Sequence, residues 1–187
     1  MAELSRQEEK ELLSLARHTI NKHLASGKGE YPPVSNPVFK EKRGVFVTLH
    51  RQGDLRGCIG YPLPYKPLWE AVVDNAIAAS SEDPRFPAVT AAELPGLHIE
   101  ISVLTVPQPV ASHESVKVGR DGIIISKGFQ RGLLLPQVPL EQGWDLEQYI
   151  SYGCLKAGLA RDEWKRGVKI ETFQAQVFGE KEPAEKP

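Results

Sequence analysis

Cysteine is scarce: the 187-residue chain holds two, Cys58 and Cys154. A small secreted domain stapled by disulfides carries more, so a reducing, cytoplasmic setting is expected. Charge of one sign is lacking too, with 23 basic against 24 acidic side chains and a formal net charge of −1. That balance excludes a broad electrostatic grip on nucleic acid or on an anionic membrane, since such binding neutralises many phosphates at once. The longest apolar runs fall far short of the roughly 18 residues needed to span a bilayer. The start of the chain, Met1 to Glu8, is polar and acidic, unlike a signal peptide. Metal-binding spacings are missing: there is no H-x-x-x-H and no C-x-x-C, and His18 and His23 stand five apart, on different faces of a helix. No metal is therefore expected, and His98 with Glu100 is the only pair worth watching. The P-loop, the G-x-G-x-x-G turn and the G-x-S-x-G elbow are absent as well, so no motif names a cofactor.

What is present is ordinary globular material, 41% hydrophobic and 25% charged. Its length suits one domain, or one domain carrying a smaller lobe. Ser5-Arg6-Gln7-Glu8 has the form of a capping box, and Leu13, Ala16, Ile20 and Leu24 then fall on one helical stripe that Gly27 ends. Three prolines between Tyr31 and Pro37 make an extended connector. Val45 to His50 reads as a strand, Gln52-Gly53-Asp54 as a turn, and Leu55 to Ile59 as the returning arm of a hairpin. Pro67 opens a helix whose apolar face is Leu68, Val72, Ala76 and Ala79. His98 to Val106 alternates apolar and polar side chains, as a half-buried strand does. A second hairpin is expected over residues 122–135, turning at Lys127-Gly128. A third helix follows Trp144-Asp145 with Leu146, Ile150, Cys154 and Ala157 on its apolar stripe, and Val168 to Phe178 forms a last strand. Hairpins without regular β-α-β alternation predict an α+β fold with a largely antiparallel sheet flanked by helices. One domain over residues 1–180 is expected, with the charged, proline-containing residues 181–187 as a disordered tail.

The densest chemistry lies in Leu55-Arg56-Gly57-Cys58-Ile59-Gly60. On a strand, Arg56 and Cys58 share a face about 6–7 Å apart at the backbone. A guanidinium at that range favours thiolate over thiol. Gly57 and Gly60 add no bulk and let a ligand or another backbone come close. The same residues also fit a plainer reading: an inert core cysteine, an arginine pairing with a carboxylate to tie two elements together, and glycines at a bulge. Glu100, beside Ser102 on the polar face of its strand, is the best acid–base candidate. As an enzyme, the chain would use Cys58 as nucleophile or acid–base thiol and Arg56 to tune it. Arg85 and Arg131 would hold an anionic substrate, and Glu100 would move a proton. As a binding module, the same surface would capture a partner, with Cys58 as packing only. Arginines 56, 85, 120 and 131 with Phe86 and Phe129 could in principle stack single-stranded nucleic acid, but solvated or locally paired arginines fit the charge balance better.

The hexapeptide resembles the signature of AMMECR-type domains. So do Asp83 to Pro87 (D-P-R-F-P), Glu93 to Leu104, Gly128 to Val138, Gly143 to Asp145 and Cys154 to Leu159, in the family's order. The resemblance implies a larger and a smaller lobe with a cleft, and the hexapeptide at or near it. The blocks add Asp83 and Gln137 to Gly57, Gly60, Arg85 and Arg131 as binding residues. The domain is also similar to the protein A component of the AmmeMemoRadiSam system. That implies a role beside a modification or metabolic pathway, with a Memo-like protein and a radical S-adenosylmethionine protein as partners.

Overall fold

The computed structural model describes residues 3–180, so the tail expected at 181–187 lies outside the described residues. In chain order the elements are α1 (Arg6–Ser26), β1 (Val45–Arg51), β2 (Asp54–Tyr61), α2 (Leu68–Ser81), β3 (Leu97–Leu104), β4 (Gln108–Pro109), β5 (Gly122–Lys127), β6 (Gln130–Leu134), α3 (Val138–Gln142), α4 (Leu146–Lys156), β7 (Lys169–Phe173) and β8 (Ala175–Gly179). They form two compact units, one running to Leu104 and resuming at Gln176, the other Thr105–Ala175. Each has its own four-stranded sheet, in the orders β2-β1-β3-β8 and β4-β7-β5-β6. The fold is α+β, as the hairpin pattern predicts. Among the described residues no helix is long and apolar enough to cross a membrane.

In the first unit α1 begins where the capping box requires. The Glu8 amide donates to Ser5 Oγ and the Ser5 amide to Glu8 Oε2. Gly27, at φ +70°, ends the helix in the left-handed conformation that glycine adopts without a Cβ clash. The first hairpin turns on Gln52 and Gly53, both at positive φ, which matches the right-handed strand twist. Asp54, expected in the turn, already belongs to β2. One face of the sheet carries Val45, Val47, Leu49, Ile99, Ile101 and Val103. It is sealed by Leu12, Ala16 and Ile20 of α1 and by Val72, Ala76 and Ala79 of α2. Each fully buried aliphatic side chain contributes about 1.5–3 kcal/mol.

The second unit packs Tyr149, Ile150 and Cys154 of α4 against Ile123, Ile125 and Ile170. Asp145 caps α4 reciprocally with Gln148. The second hairpin turns at Gly128-Phe129, one residue later than Lys127-Gly128, with Gly128 at φ +59° and Phe129 fully exposed. The short α3 carries too few residues to show helical periodicity in the sequence.

The expected single strand over Val168 to Phe178 is two strands, β7 and β8, in different sheets. The break falls at Gln174. Its amide donates to Thr105 Oγ1 at 2.9 Å, and its carbonyl accepts from the Thr105 amide at 2.9 Å. That pairing takes Gln174 out of both ladders and also ends β3 at Leu104 rather than Val106.

Candidate functional site

The face of the first sheet opposite the core is polar and half-exposed. The strand registers align its side chains in rows. Thr48 of β1 stands opposite Cys58 of β2 on one side and opposite Glu100 of β3 on the other. The Cys58–Thr48–Glu100 row is flanked by Gly60–Phe46–Ser102 on one side and by the His50–His98 pair, with ring centroids 6.5 Å apart, on the other. Cys58 is half-buried, and Thr48 Oγ1 donates a hydrogen bond to its Sγ at 3.3 Å. Neighbouring strands lie about 4.8 Å apart, so Glu100, two strands from Cys58, is about 10 Å from it at the backbone.

The glycines of the hexapeptide meet protein rather than open space. A Cβ on Gly57 would lie 2.2 Å from the Ala79 carbonyl oxygen of α2. One on Gly60 would lie 2.3 Å from the Phe46 ring and 2.6 Å from the Val45 carbonyl oxygen. Their smallness lets α2 and Phe46 pack on β2. Between Leu49 and His50 the β1–β2 register slips, leaving Arg56 as the extra residue of a bulge.

That bulge delivers Arg56 to Glu93. Arg56 Nε donates to Glu93 Oε1 at 2.9 Å and Nη2 to Oε2 at 3.3 Å, while Nη1 donates to the Pro87 carbonyl at 2.8 Å. Both side chains are only 13% exposed. Glu93 also caps the turn at Thr90, accepting from its amide and its hydroxyl. Hydrogen bonds from Arg56, then from Thr90, hold the Glu93 carboxyl down at about 2. The expected tuning of the thiol by Arg56 meets a fork committed to Glu93 and to the loop that follows Arg85. Arg56 here ties two elements together.

A second arginine stands at Cys58. Asp83 is buried, and its Oδ2 accepts the Cys58 amide at 2.8 Å. Oδ2 also accepts Arg85 Nη2 at 2.7 Å, while Oδ1 accepts Arg85 Nε at 2.9 Å and the Arg85 amide at 3.1 Å. Arg85 Nη2 reaches the Cys58 carbonyl at 3.3 Å, and the guanidinium lies over the Phe86 ring, 5.4 Å from its centroid. The Arg85 hydrogen bond, helped by the Cys58 amide, keeps the Asp83 carboxyl far below its ordinary range despite burial. Asp83 in turn raises the Arg85 pKa, and Cys58 pulls in the same direction. The Arg85 side chain remains 53% exposed while that of Asp83 is 2% exposed, so the cation is anchored at its base and open at its edge.

Of the residues singled out in the sequence, Cys58, Arg56, Gly57, Gly60, Asp83, Arg85 and Glu100 thus belong to the first unit. Arg131 and Gln137 belong to the second, where Arg131 pairs with Glu171 at 3.4 Å and Gln137 precedes α3. Sequence reasoning missed Thr48 and Glu93. Thr48 carried a faint signal: on a strand whose alternate residues are Val45, Val47 and Leu49, it faces the side opposite the core. Glu93 heads a family block and completes a T-x-x-E capping pattern with Thr90, but nothing local ties it to Arg56, 37 residues away. No group of three metal-ligating side chains occurs among the described residues.

Comparison with known proteins agrees with this architecture. Residues 13–178 match the AMMECR1 family. A protein of Methanocaldococcus jannaschii is 51% identical over 180 residues, covering 90% of this chain and 88% of that one. A protein of Thermofilum pendens is 46% identical over 201 residues, covering 98% and 94%. The crystal structure of an uncharacterized protein from Pyrococcus horikoshii superposes with a TM-score of 0.80 at 45% identity, covering 92% and 91%. With residues 13–178 matched, nearly its whole length, the chain belongs to the AMMECR1 family.

Proposed function

We propose that the open face of the first sheet is a cysteine-centred site for a small anionic substrate, and that the chain is an enzyme or enzyme component using it. One observation carries this reading: Cys58 is half-buried with a hydroxyl donor on its sulfur and an anchored, half-exposed arginine at its backbone. A hydrogen-bond donor aimed at a sulfur favours the thiolate, which is the nucleophilic form. Nη1 of Arg85, which lies outside the bonds to Asp83 and Cys58, supplies charge-assisted N–H donors for a carboxylate or phosphate. Glu100, opposite Thr48 on β3, takes the acid–base role in this reading, for a substrate that lies across the row. The test compares alkylation of Cys58 by iodoacetate and by iodoacetamide. The reading expects the anion to gain several-fold relative to its ratio on a free thiol. A ratio equal to that of free cysteine contradicts an anion-binding role for Arg85.

A second reading, a binding module, is supported by the structural use of Arg56, Gly57 and Gly60, which leaves Cys58 as the hexapeptide's main outward-facing chemistry. In it the same face docks the Memo-like or radical S-adenosylmethionine protein that the family resemblance suggests. Co-purification with those proteins that survives Cys58→Ser favours docking over catalysis. Absence of any co-purification counts against it.

A further inference from the structure

We infer that Thr48 is a positioning residue for Cys58, presenting a fixed hydroxyl that stabilises the thiolate over the thiol. The inference rests on the reading of Cys58 as a reactive thiol. Thr48 sits in the middle of β1, hydrogen-bonded to a strand on each side, so its backbone has no room to shift. Its β-branched side chain is stiff at χ1, so register and rotamer together hold Oγ1 in place. Oγ1 donates to Sγ at 3.3 Å. A neutral sulfur is a weak acceptor, whereas a charge-assisted hydrogen bond is roughly twice as strong as a neutral one. The hydroxyl therefore discriminates between the protonation states of Cys58 without touching the substrate. Strand-forming chemistry alone does not call for it: Val would fit a half-exposed strand position as well as Thr.

The other groups facing the sulfur explain why a donor is placed here. Thr48 has Glu100 as its opposite cross-strand neighbour, and His50 and His98 form the next row. A carboxylate on that side opposes a thiolate; on the other side the Cys58 backbone meets Arg85 at its carbonyl and Asp83 at its amide, paired charges that largely offset each other. Thr48 stands between Glu100 and Cys58, and its hydroxyl is turned to the sulfur.

The experiment is alkylation by iodoacetamide from pH 5 to 10, read by intact mass, on the full chain and on Thr48→Val, Thr48→Ala and Thr48→Ser. The inference expects Val and Ala to raise the apparent thiol pKa by about one unit, a roughly tenfold slower reaction at pH 7. The limiting rate at high pH stays unchanged, and Ser restores the wild-type profile to within about threefold. A merely structural role would alter the melting temperature without moving the pH profile. If the wild-type pKa lies below that of a free thiol and Val and Ala leave it there, Thr48 has no such role and the thiol reading stands. If the wild-type profile already equals that of a free thiol, near 8.5, the thiol reading fails and the inference with it.

Discussion

Two arginine–carboxylate pairs flank the hexapeptide strand, and they differ in one respect. Arg56 and Glu93 are both 13% exposed, and every nitrogen of that guanidinium donates to protein. Arg85 and Asp83 are 53% and 2% exposed, so the carboxylate is sealed while the cation faces solvent. In both, the arginine holds its carboxyl below the ordinary range. Similar chemistry yields a clamp in one place and an anchored, available cation in the other. Exposure of the guanidinium, rather than its nearness to Cys58 in the sequence, separates a closed clamp from a cation that faces solvent.

The largest effect is expected where the strand between the pairs meets α2. Gly57→Ala sets a Cβ 2.2 Å from the Ala79 carbonyl oxygen, against backbone that cannot swing aside. A loss of about 3 kcal/mol or more in urea unfolding is expected, at or beyond the usual range for overpacking. Full tolerance would show that β2 is not pinned where the two pairs require it.

Arg56→Met keeps the aliphatic stem and removes the clamp. Breaking a fully buried pair costs about 3–5 kcal/mol; the residual exposure here brings the expectation to about 2–3 kcal/mol. The alkylation profile of Cys58 should stay within twofold of wild type. A shift of the thiol pKa in this variant would restore Arg56 as the tuning residue and dissolve the comparison.

Acid sharpens it further. The folded Glu93 pKa is depressed from 4.5 to about 2, so the unfolded chain binds the proton more readily. Its contribution is therefore fully present above about pH 4.5 and is lost as pH falls toward 2. Unfolding free energy followed down from pH 6 should show this fall, and Glu93→Gln should flatten part of it. An unchanged slope in Glu93→Gln would mean that the Arg56 pair contributes nothing to acid sensitivity.

The open pair tests the other half of the comparison. Arg85→Gln takes the cation from a sealed carboxylate, so a loss of about 2 kcal/mol is expected, below the range for a fully buried pair because the guanidinium is half-exposed. Asp83 still accepts the Cys58 and residue-85 amides. What should change is selectivity: the preference of Cys58 for iodoacetate should drop to that of a free thiol. A preserved preference would place the anion-binding group elsewhere.

How far the sequence reveals this arrangement depends on the range of each interaction. The Ser5–Glu8 box, the first hairpin and the alternation of β3 were legible because their signals lie within a few residues. The clamp was half legible, since an arginine seeking a carboxylate is a reading that the hexapeptide invites, but the bulge falls at Arg56 rather than at a glycine. The identity of Glu93 was not, because nothing local links residues 37 apart. Thr48 escaped notice for a different reason. A threonine in a strand satisfies β-propensity, and only the register shows that its hydroxyl meets a sulfur. The break at Gln174 escaped because both halves of the segment satisfy strand patterning and the interruption comes from Thr105, far away in the chain.

The central claim is that Cys58 is a poised thiol on an open sheet face, and Cys154 supplies the internal control. Cys154 is fully buried in the second unit, and burial pushes its thiol pKa up. Site-resolved labelling of the native protein across pH tests the claim most directly. The account predicts that Cys58 of the folded protein is labelled at neutral pH while Cys154 stays unlabelled until the protein unfolds. Labelling of Cys58 only on unfolding, in step with Cys154, would contradict it.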